Sequence, residues 1–201
     1  AAASGFWQII ETTGKSSGLE INAEVDERYH IEKSTRAACR YLKGCRERLG
    51  SWSLAAAAYN MGEAGVNNAI NKQQTNSYWE LYLNSETARY LYRAISYKLI
   101  FEAPRQYGII LKNSDLYYPI PCDEVEVKST IPDLYIFAKE HNILYRELKE
   151  LNPWLRDSKL TVKGQNYIIK IPQKSKLKYQ YLYKDLKNPL ELLGDTVFYA
   201  E

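Results

Sequence analysis

Histidine is nearly absent from this chain of 201 residues, with only His30 and His141, and cysteine is confined to Cys39, Cys45 and Cys122. Two isolated histidines give no support to a metal centre or a His-based catalytic triad. An odd number of cysteines without metal-ligand spacing reads as small buried thiols. Cys39 and Cys45 lie six apart on one predicted helix and so point to different faces, which argues against a bridge between them. No apolar run approaches membrane-spanning length. Charge of one sign is not in excess either: 27 Lys and Arg against 24 Asp and Glu leave a net +3. That balance is too mild to point to nucleic acid or a membrane surface. No signal peptide is visible, but the chain opens at Ala1 inside what reads as a folded motif, so the expectation is that Ala1 is not the start of the gene. What is plentiful is tyrosine, 18 residues, and a hydrophobic content of 45%. The length suits one large domain or two small ones, and the pattern predicts two.

The stretch WSLAAAAYNMGEAGV, residues 52–66, organises the rest. Leu54 and Ala55 to Ala58 leave no polar stripe, so the helix is predicted central and buried, with alanines letting neighbouring helices approach closely. It delivers Tyr59 and Asn60 to its end, where Gly62 and Gly65 are expected to supply a left-handed turn. Two polar side chains leaving the core at a fixed point suit the rim of a binding cleft.

Upstream, Gly5-Phe6-Trp7-Gln8 precedes a short apolar turn that Gly18 ends. The Gln8 amide could serve a cleft wall, or it is a surface residue following a buried Trp. Residues 26–34, DERYHIEKS, read as a polar lead-in to a helix ending near Leu49. On that helix Ala37, Ala38, Tyr41, Leu42, Cys45 and Leu49 form one face, and Arg36, Arg40, Lys43 and Glu47 the solvated one. After the central helix, 64–70 continues helical and a polar loop and aromatics follow. Ser85 is predicted to cap a helix running to about Phe101. Glu86, Tyr90, Arg93 and Tyr97 share one face of it. Leu91, Ile95 and Leu99 share another, expected to reach the core. A Glu-Tyr-Arg-Tyr face suits a sugar cleft, or the tyrosines bridge core to solvent.

Pro104, Pro119 and Pro121 punctuate a linker. Val125 and Val127 then alternate with charges as a strand, two short helices follow at 133–141 and 145–151, and 167–171 reads as a returning strand. The predicted class is α+β: a mainly helical domain at 1–104, a linker at 105–122, a small βααβ unit at 123–172, and an unassigned tail at 173–201 in which Leu190, Leu192 and Leu193 suggest docking.

Taken together, Gly5-Phe6-Trp7-Gln8, Ala58-Tyr59-Asn60-Met61-Gly62 and Glu86-Thr87-Ala88-Arg89-Tyr90 resemble the lytic transglycosylases with the lysozyme-like soluble-transglycosylase fold. The membrane-bound murein transglycosylase D type is the nearest likeness, in forms from Bacteroidetes-like bacteria whose DERY and AACRYL segments look like residues 26–29 and 37–42. The βααβ unit resembles a LysM module: Leu134, Phe137, Ala138, Leu148, Leu151, Asn152, Pro153, Leu160 and Ile171-Pro172 stand where that pattern wants them. The usual opening Gly-Asp-Thr-Leu is replaced by Ser129 to Leu134, which puts glycan binding by this copy in question.

The resemblance implies peptidoglycan glycan strands as substrate, no cofactor, no metal and no nucleic acid. It implies cleavage of the MurNAc-GlcNAc β-1,4 bond with formation of a 1,6-anhydroMurNAc end, by a single Glu acting as acid and then base. That Glu would sit on a helix upstream of Ala1. Glu11 lies on the wrong side of the motif and Glu63 at a variable position, so neither replaces it. Tyr59 would orient the catalytic carboxyl or the substrate acetamido group, with Asn60 as its polar partner. Ser4, Gly5 and Gln8 would line sugar subsites, and Glu86 and Tyr90 would contact glycan. Ala2 stands where many relatives carry Gly. The implied location is the periplasm or cell envelope, with lipid anchoring through an upstream segment. A hydrolytic muramidase on the same fold, or a peptidoglycan-binding scaffold without catalysis, are the alternatives.

Overall fold

In the computed structural model the residues described are 3–111, 115, 117 and 119–176. The expectations for Ala2 and for the leucines of the tail lie outside them. Of the described residues, those up to Ala38 pack with those from Pro119 onward as one compact unit, and those from Cys39 to Tyr117 form a second.

The first unit opens with a hairpin, β1 (Ala3–Ser4) against β2 (Ile9–Ile10), antiparallel with Ser4 opposite Ile9. A six-residue helix α1 (Glu11–Ser16) follows, and Gly18 at φ +78° ends it. Then comes a 3₁₀ turn, Glu27–Tyr29, and the start of α2 (Ile31–Leu49). From Cys122 the predicted βααβ order appears: β3 (Cys122–Val127), α6 (Leu134–Glu140), α7 (Tyr145–Leu151) and β4 (Tyr167–Pro172). β3 and β4 pair antiparallel from Cys122 opposite Pro172 to Val127 opposite Tyr167. Asp133 caps α6 by accepting from the Tyr135 amide at 2.7 Å. Leu134, Leu148, Leu160 and Ile169 are fully buried between helices and sheet, each contributing about 2 kcal/mol of apolar burial.

Val25 belongs to that same core. It pairs with Leu155 as a bridge, while the Asp26 amide donates to the Trp154 carbonyl at 2.9 Å and the Arg156 amide to the Glu24 carbonyl at 2.7 Å. Glu24 accepts from the Thr161 amide and hydroxyl at 2.7 and 3.1 Å. The segment expected to be a polar lead-in is therefore interior, with Asp26, Glu27 and Arg28 all buried. The reason is pairing. Arg28 donates from Nε and Nη2 to the Asp26 carboxylate at 2.9 and 2.7 Å, and Glu27 accepts from Lys33 and from the Glu20 amide.

In the second unit α3 (Trp52–Met61) packs against α4 (Glu63–Gln73) and α5 (Ser85–Glu102). Leu54, Ala55, Ala57 and Ala58 are buried as predicted, joined by Val66, Tyr78, Leu81 and Leu83. Ser51 caps α3, accepting from the Leu54 amide at 3.2 Å. Gly62, at φ +84°, breaks α3 from α4, whereas Gly65 lies inside α4 and supplies no turn. The α2 faces fall as predicted in part: Ala37, Ala38 and Cys45 are buried, and Arg36, Arg40, Lys43 and Glu47 are exposed. Cys39 is exposed and Cys122 half-buried, so only Cys45 is the buried thiol the count suggested.

Two expectations for α5 fail. Its cap is Asn84, which accepts from the Glu86 and Thr87 amides at 3.1 and 3.0 Å, and Ser85 is the first helical residue. Leu91 packs on the core, but Ile95 and Leu99 are 41% and 45% exposed. Length explains this: α3 has 10 residues and α5 has 18, about 15 Å against about 27 Å, so the second half of α5 runs past the helix that would cover it.

Candidate functional site

The last turn of α3 and the first turns of α5 bring four predicted residues together in the second unit. Asn60 Nδ2 donates to Glu86 Oε1 at 3.3 Å, and Asn60 Oδ1 accepts from the Thr87 hydroxyl at 2.7 Å. The Thr87 oxygen in turn accepts from Asn84 Nδ2 at 3.0 Å. Thr87 is fully buried, Asn60 half-buried and Glu86 exposed, so the chain of bonds runs from core to surface and fixes which way the Asn60 amide faces. Tyr78 anchors the same turn from beneath: its hydroxyl donates to the Thr87 and Ala88 carbonyls at 3.1 and 3.0 Å.

Beside this network the Tyr59 ring meets Tyr41 edge to face, centroids 5.8 Å apart. Burial pushes the Tyr59 hydroxyl far up, with Tyr90 and Tyr41 adding to it, and burial also raises Tyr90. Burial, with the neighbouring Cys45, pushes Tyr41 up to about 12. All three are therefore neutral hydrogen-bond donors at any physiological pH. Tyr59 and Tyr90 are both half-buried, which leaves part of each ring open to a ligand.

Neither carboxyl already set aside as a substitute acid is suited to that role. Glu63 accepts from Arg48 Nε and Nη2 at 2.6 and 2.7 Å, and these bonds hold it below the usual carboxylate range. Glu11 is likewise lowered by its Lys15 partner at 2.6 Å. A general acid needs the opposite shift.

Ser4, Gly5 and Gln8 lie in the first unit, on the β1–β2 turn. Gly5 has φ +75°, and a Cβ there would stand 1.9 Å from the Arg28 carbonyl oxygen, so only glycine fits. Gln8 is exposed with φ +49°. Its amide N–H and its side-chain Nε2 both donate to the Gly5 carbonyl, at 3.2 and 2.8 Å, and those two bonds hold the strained backbone. Trp7 is half-buried and donates from Nε1 to Thr35 Oγ1 at 2.7 Å. Arg28 reaches back to the Ile9 carbonyl at 3.3 Å, so the buried Asp26–Arg28 pair braces the turn that presents Gln8.

Residues missed as functional at the sequence level are Asn84, Thr87 and Tyr78, which set Asn60 and the start of α5. The Asn84-x-x-Thr87 spacing, two local hydrogen-bonding residues flanking a helix start, is the signal that could have found the first two. Among the described residues no cluster of three or more His, Cys, Asp or Glu could hold a metal ion, and no helix is long and apolar enough to cross a membrane.

Residues 1–82 match the family described as the transglycosylase SLT domain, and residues 123–175 the soluble lytic transglycosylase C-terminal LysM-like domain. The chain carries an SLT domain followed by a LysM-like domain. It is 31% identical over 179 residues to the membrane-bound lytic murein transglycosylase D of Escherichia coli strain K12, an alignment covering 87% of this chain and 39% of that protein. The transglycosylase D of Escherichia coli O6:H1 gives the same values. The chain thus spans about two fifths of the length of the curated relatives it matches. Tyr59, Asn60 and the Gly5–Gln8 turn fall within the SLT match, and Glu86 and Tyr90 just beyond its end.

Proposed function

We propose that this chain belongs to a peptidoglycan lytic transglycosylase that cleaves the MurNAc-GlcNAc β-1,4 bond and leaves a 1,6-anhydroMurNAc end. The observation that carries the reading is the Thr87–Asn60–Glu86 hydrogen-bonded chain beside Tyr59 and Tyr90, set in a chain homologous to a murein transglycosylase. Fixed amide, carboxylate and phenol groups at one rim match the hydroxyl and acetamido groups of an amino sugar.

The general acid is a Glu that precedes Ala1 in the parent protein. It protonates the glycosidic oxygen as the bond to C1 breaks, and the substrate acetamido group stabilises the oxocarbenium-like centre. The muramic 6-hydroxyl then attacks C1 and gives its proton to the same, now ionised, carboxyl, so no water is consumed. Tyr59, neutral at working pH, donates a hydrogen bond that orients the acid or the acetamido group. Asn60 holds a fixed amide beside it, Glu86 and Tyr90 contact sugar hydroxyls and ring faces, and Ser4, Gly5 and Gln8 line further subsites. The site of action is the cell envelope, on the periplasmic side, with attachment to the membrane through the preceding segment.

The test is mass analysis of muropeptides released from purified sacculi by the full-length parent, with the 201-residue chain alongside. Anhydro ends from the parent alone support the proposal. Reducing ends instead make it a muramidase, and sacculi bound by both without release make it a scaffold.

A further inference from the structure

The first unit holds a cleft of about 680 Å3 that the transglycosylase reading does not use. One wall is the end of the 3₁₀ turn and the start of α2, with Ile31 and Arg36. The other is the outward face of the β3–β4 pair, with Glu124 and Ile168. Most charged groups along it are already paired: Glu32 with Lys170, Lys33 with Glu27, and Glu150 with Arg146 at 2.7 Å. Arg36 on one wall and Glu124 on the other have no hydrogen bond or ion pair with a described residue.

The lining also carries three open apolar side chains, Ile31, Ile120 and Ile168, exposed by 46%, 51% and 44%. The floor is rigid. Asn152 is fully buried and spends its amide on the Leu148 carbonyl and on both backbone groups of Lys170, at 2.8 to 2.9 Å. Trp154 lies between His30 and Tyr167, with centroids 5.9 and 5.7 Å away, and Arg156 lies over one face of the half-buried Tyr29 at 4.4 Å. Sugar stacking takes an open aromatic face, and the Trp154 and Tyr167 rings, 4% and 5% exposed, offer none. A ligand carrying a carboxylate and an ammonium, with small apolar groups between, matches what is left unpaired.

Peptidoglycan supplies such a ligand in the short peptide attached to its glycan. Resting on the substrate proposed above, we infer that this cleft binds the peptide stem, Arg36 receiving a stem carboxylate and Glu124 a stem ammonium. The glycan and peptide halves of one polymer are then held by different parts of the chain. Stem-bearing strands are favoured over bare ones.

Calorimetry on the full 201-residue chain tests this with three probes: the tripeptide L-alanyl-γ-D-glutamyl-meso-diaminopimelic acid, the disaccharide carrying that tripeptide, and chitotetraose, a glycan without peptide. The first two are expected to bind saturably at one site. Arg36→Ala and Glu124→Ala each weaken both about two- to fivefold, the range of a solvent-exposed charge pair, while leaving chitotetraose affinity and the melting temperature unchanged. Both side chains are exposed and unpaired, so neither variant threatens folding. No saturable tripeptide binding, binding indifferent to both variants, or a tripeptide that binds only when free of the disaccharide would each overturn the inference. Chitotetraose binding without tripeptide binding overturns the cleft alone. Tripeptide binding without chitotetraose binding supports the cleft and counts against the glycan site at α3 and α5.

Discussion

Thr87→Val removes one hydroxyl from a fully buried position and keeps the side-chain shape. Two hydrogen bonds go with it, the 2.7 Å donation to Asn60 Oδ1 and the 3.0 Å acceptance from Asn84 Nδ2. At about 0.5–1.5 kcal/mol each, their joint contribution is about 1–3 kcal/mol. Asn84 is exposed and Asn60 half-buried, so water reaches the freed groups and the lower half of that range applies. The added methyl recovers about 0.8 kcal/mol by burial. A net loss of about 0.2–1.2 kcal/mol results, a fall of no more than about 4 °C in melting temperature for a chain of this size. Thr87→Ser costs a similar amount through the lost methyl but keeps both bonds. Stability therefore does not separate the two variants, whereas ligand binding does. With its oxygen released, Asn60 can rotate, and its amide leaves Glu86. Chitotetraose affinity measured by calorimetry is expected to drop about fivefold in Thr87→Val, the equivalent of about 1 kcal/mol, and less than twofold in Thr87→Ser. Equal affinity in the two variants would refute the claim that the Thr87 hydroxyl orients Asn60.

Gly5→Ala places a Cβ 1.9 Å from the Arg28 carbonyl in a backbone at φ +75°, so a loss of more than about 2 kcal/mol is expected in thermal or urea unfolding. Asp26→Asn leaves the buried Arg28 guanidinium without its counter-charge and is expected to cost about 3 kcal/mol by the same measurement. Burial alone would raise the Asp26 carboxyl, but the hydrogen bonds from Arg28 hold it below its ordinary 3.8. Its stabilisation is complete above that value and is lost as pH falls through the lower folded value, so wild type is expected to show a steeper acid limb below about pH 4 than Asp26→Asn. Burial lowers His30 from its ordinary 6.5, opposed by Glu32. The unfolded chain thus takes up the proton first, and stability is expected to decline as pH drops below about 6.5, a slope that His30→Gln removes in a pH series of melting temperatures.

Composition and period carried much of the fold. A run of five apolar residues leaves no polar stripe, and so the central helix is readable at 54–58, as is the βααβ unit from alternation at 125–127 and a returning strand at 167–171 before Pro172. A helical period identifies a face without saying how far a neighbour extends along it. Ile95 and Leu99 are on the right face of α5, but α3 is too short to reach them. At the helix start, Asn84 and Ser85 are both good caps, and what decides between them is the Thr87 hydroxyl three residues on, within the first turn, which bonds Asn84 and seats it.

Asp26, Glu27 and Arg28 were misplaced for a different reason, and it bears on the site. Scoring each charged side chain by itself puts it in water, because an unpaired buried charge is costly. Here each charge has a partner: Asp26 meets Arg28 two residues on and Glu27 meets Lys33 six on, while neighbouring Glu24 meets Thr161 137 positions later. The first two pairs lie inside the window 26–34, but the groups that bring the segment into the core, Thr161, Trp154 and Leu155, come from far along the chain, and only the fold assembles those contacts. The same holds for Asn60, whose partners Glu86 and Thr87 are 26 and 27 residues away. Individual motif residues such as Gln8, Tyr59 and Tyr90 could be named in advance because a resemblance supplied them one by one. The residues that hold them in place act through pairings, and pairings become visible only once the chain has folded.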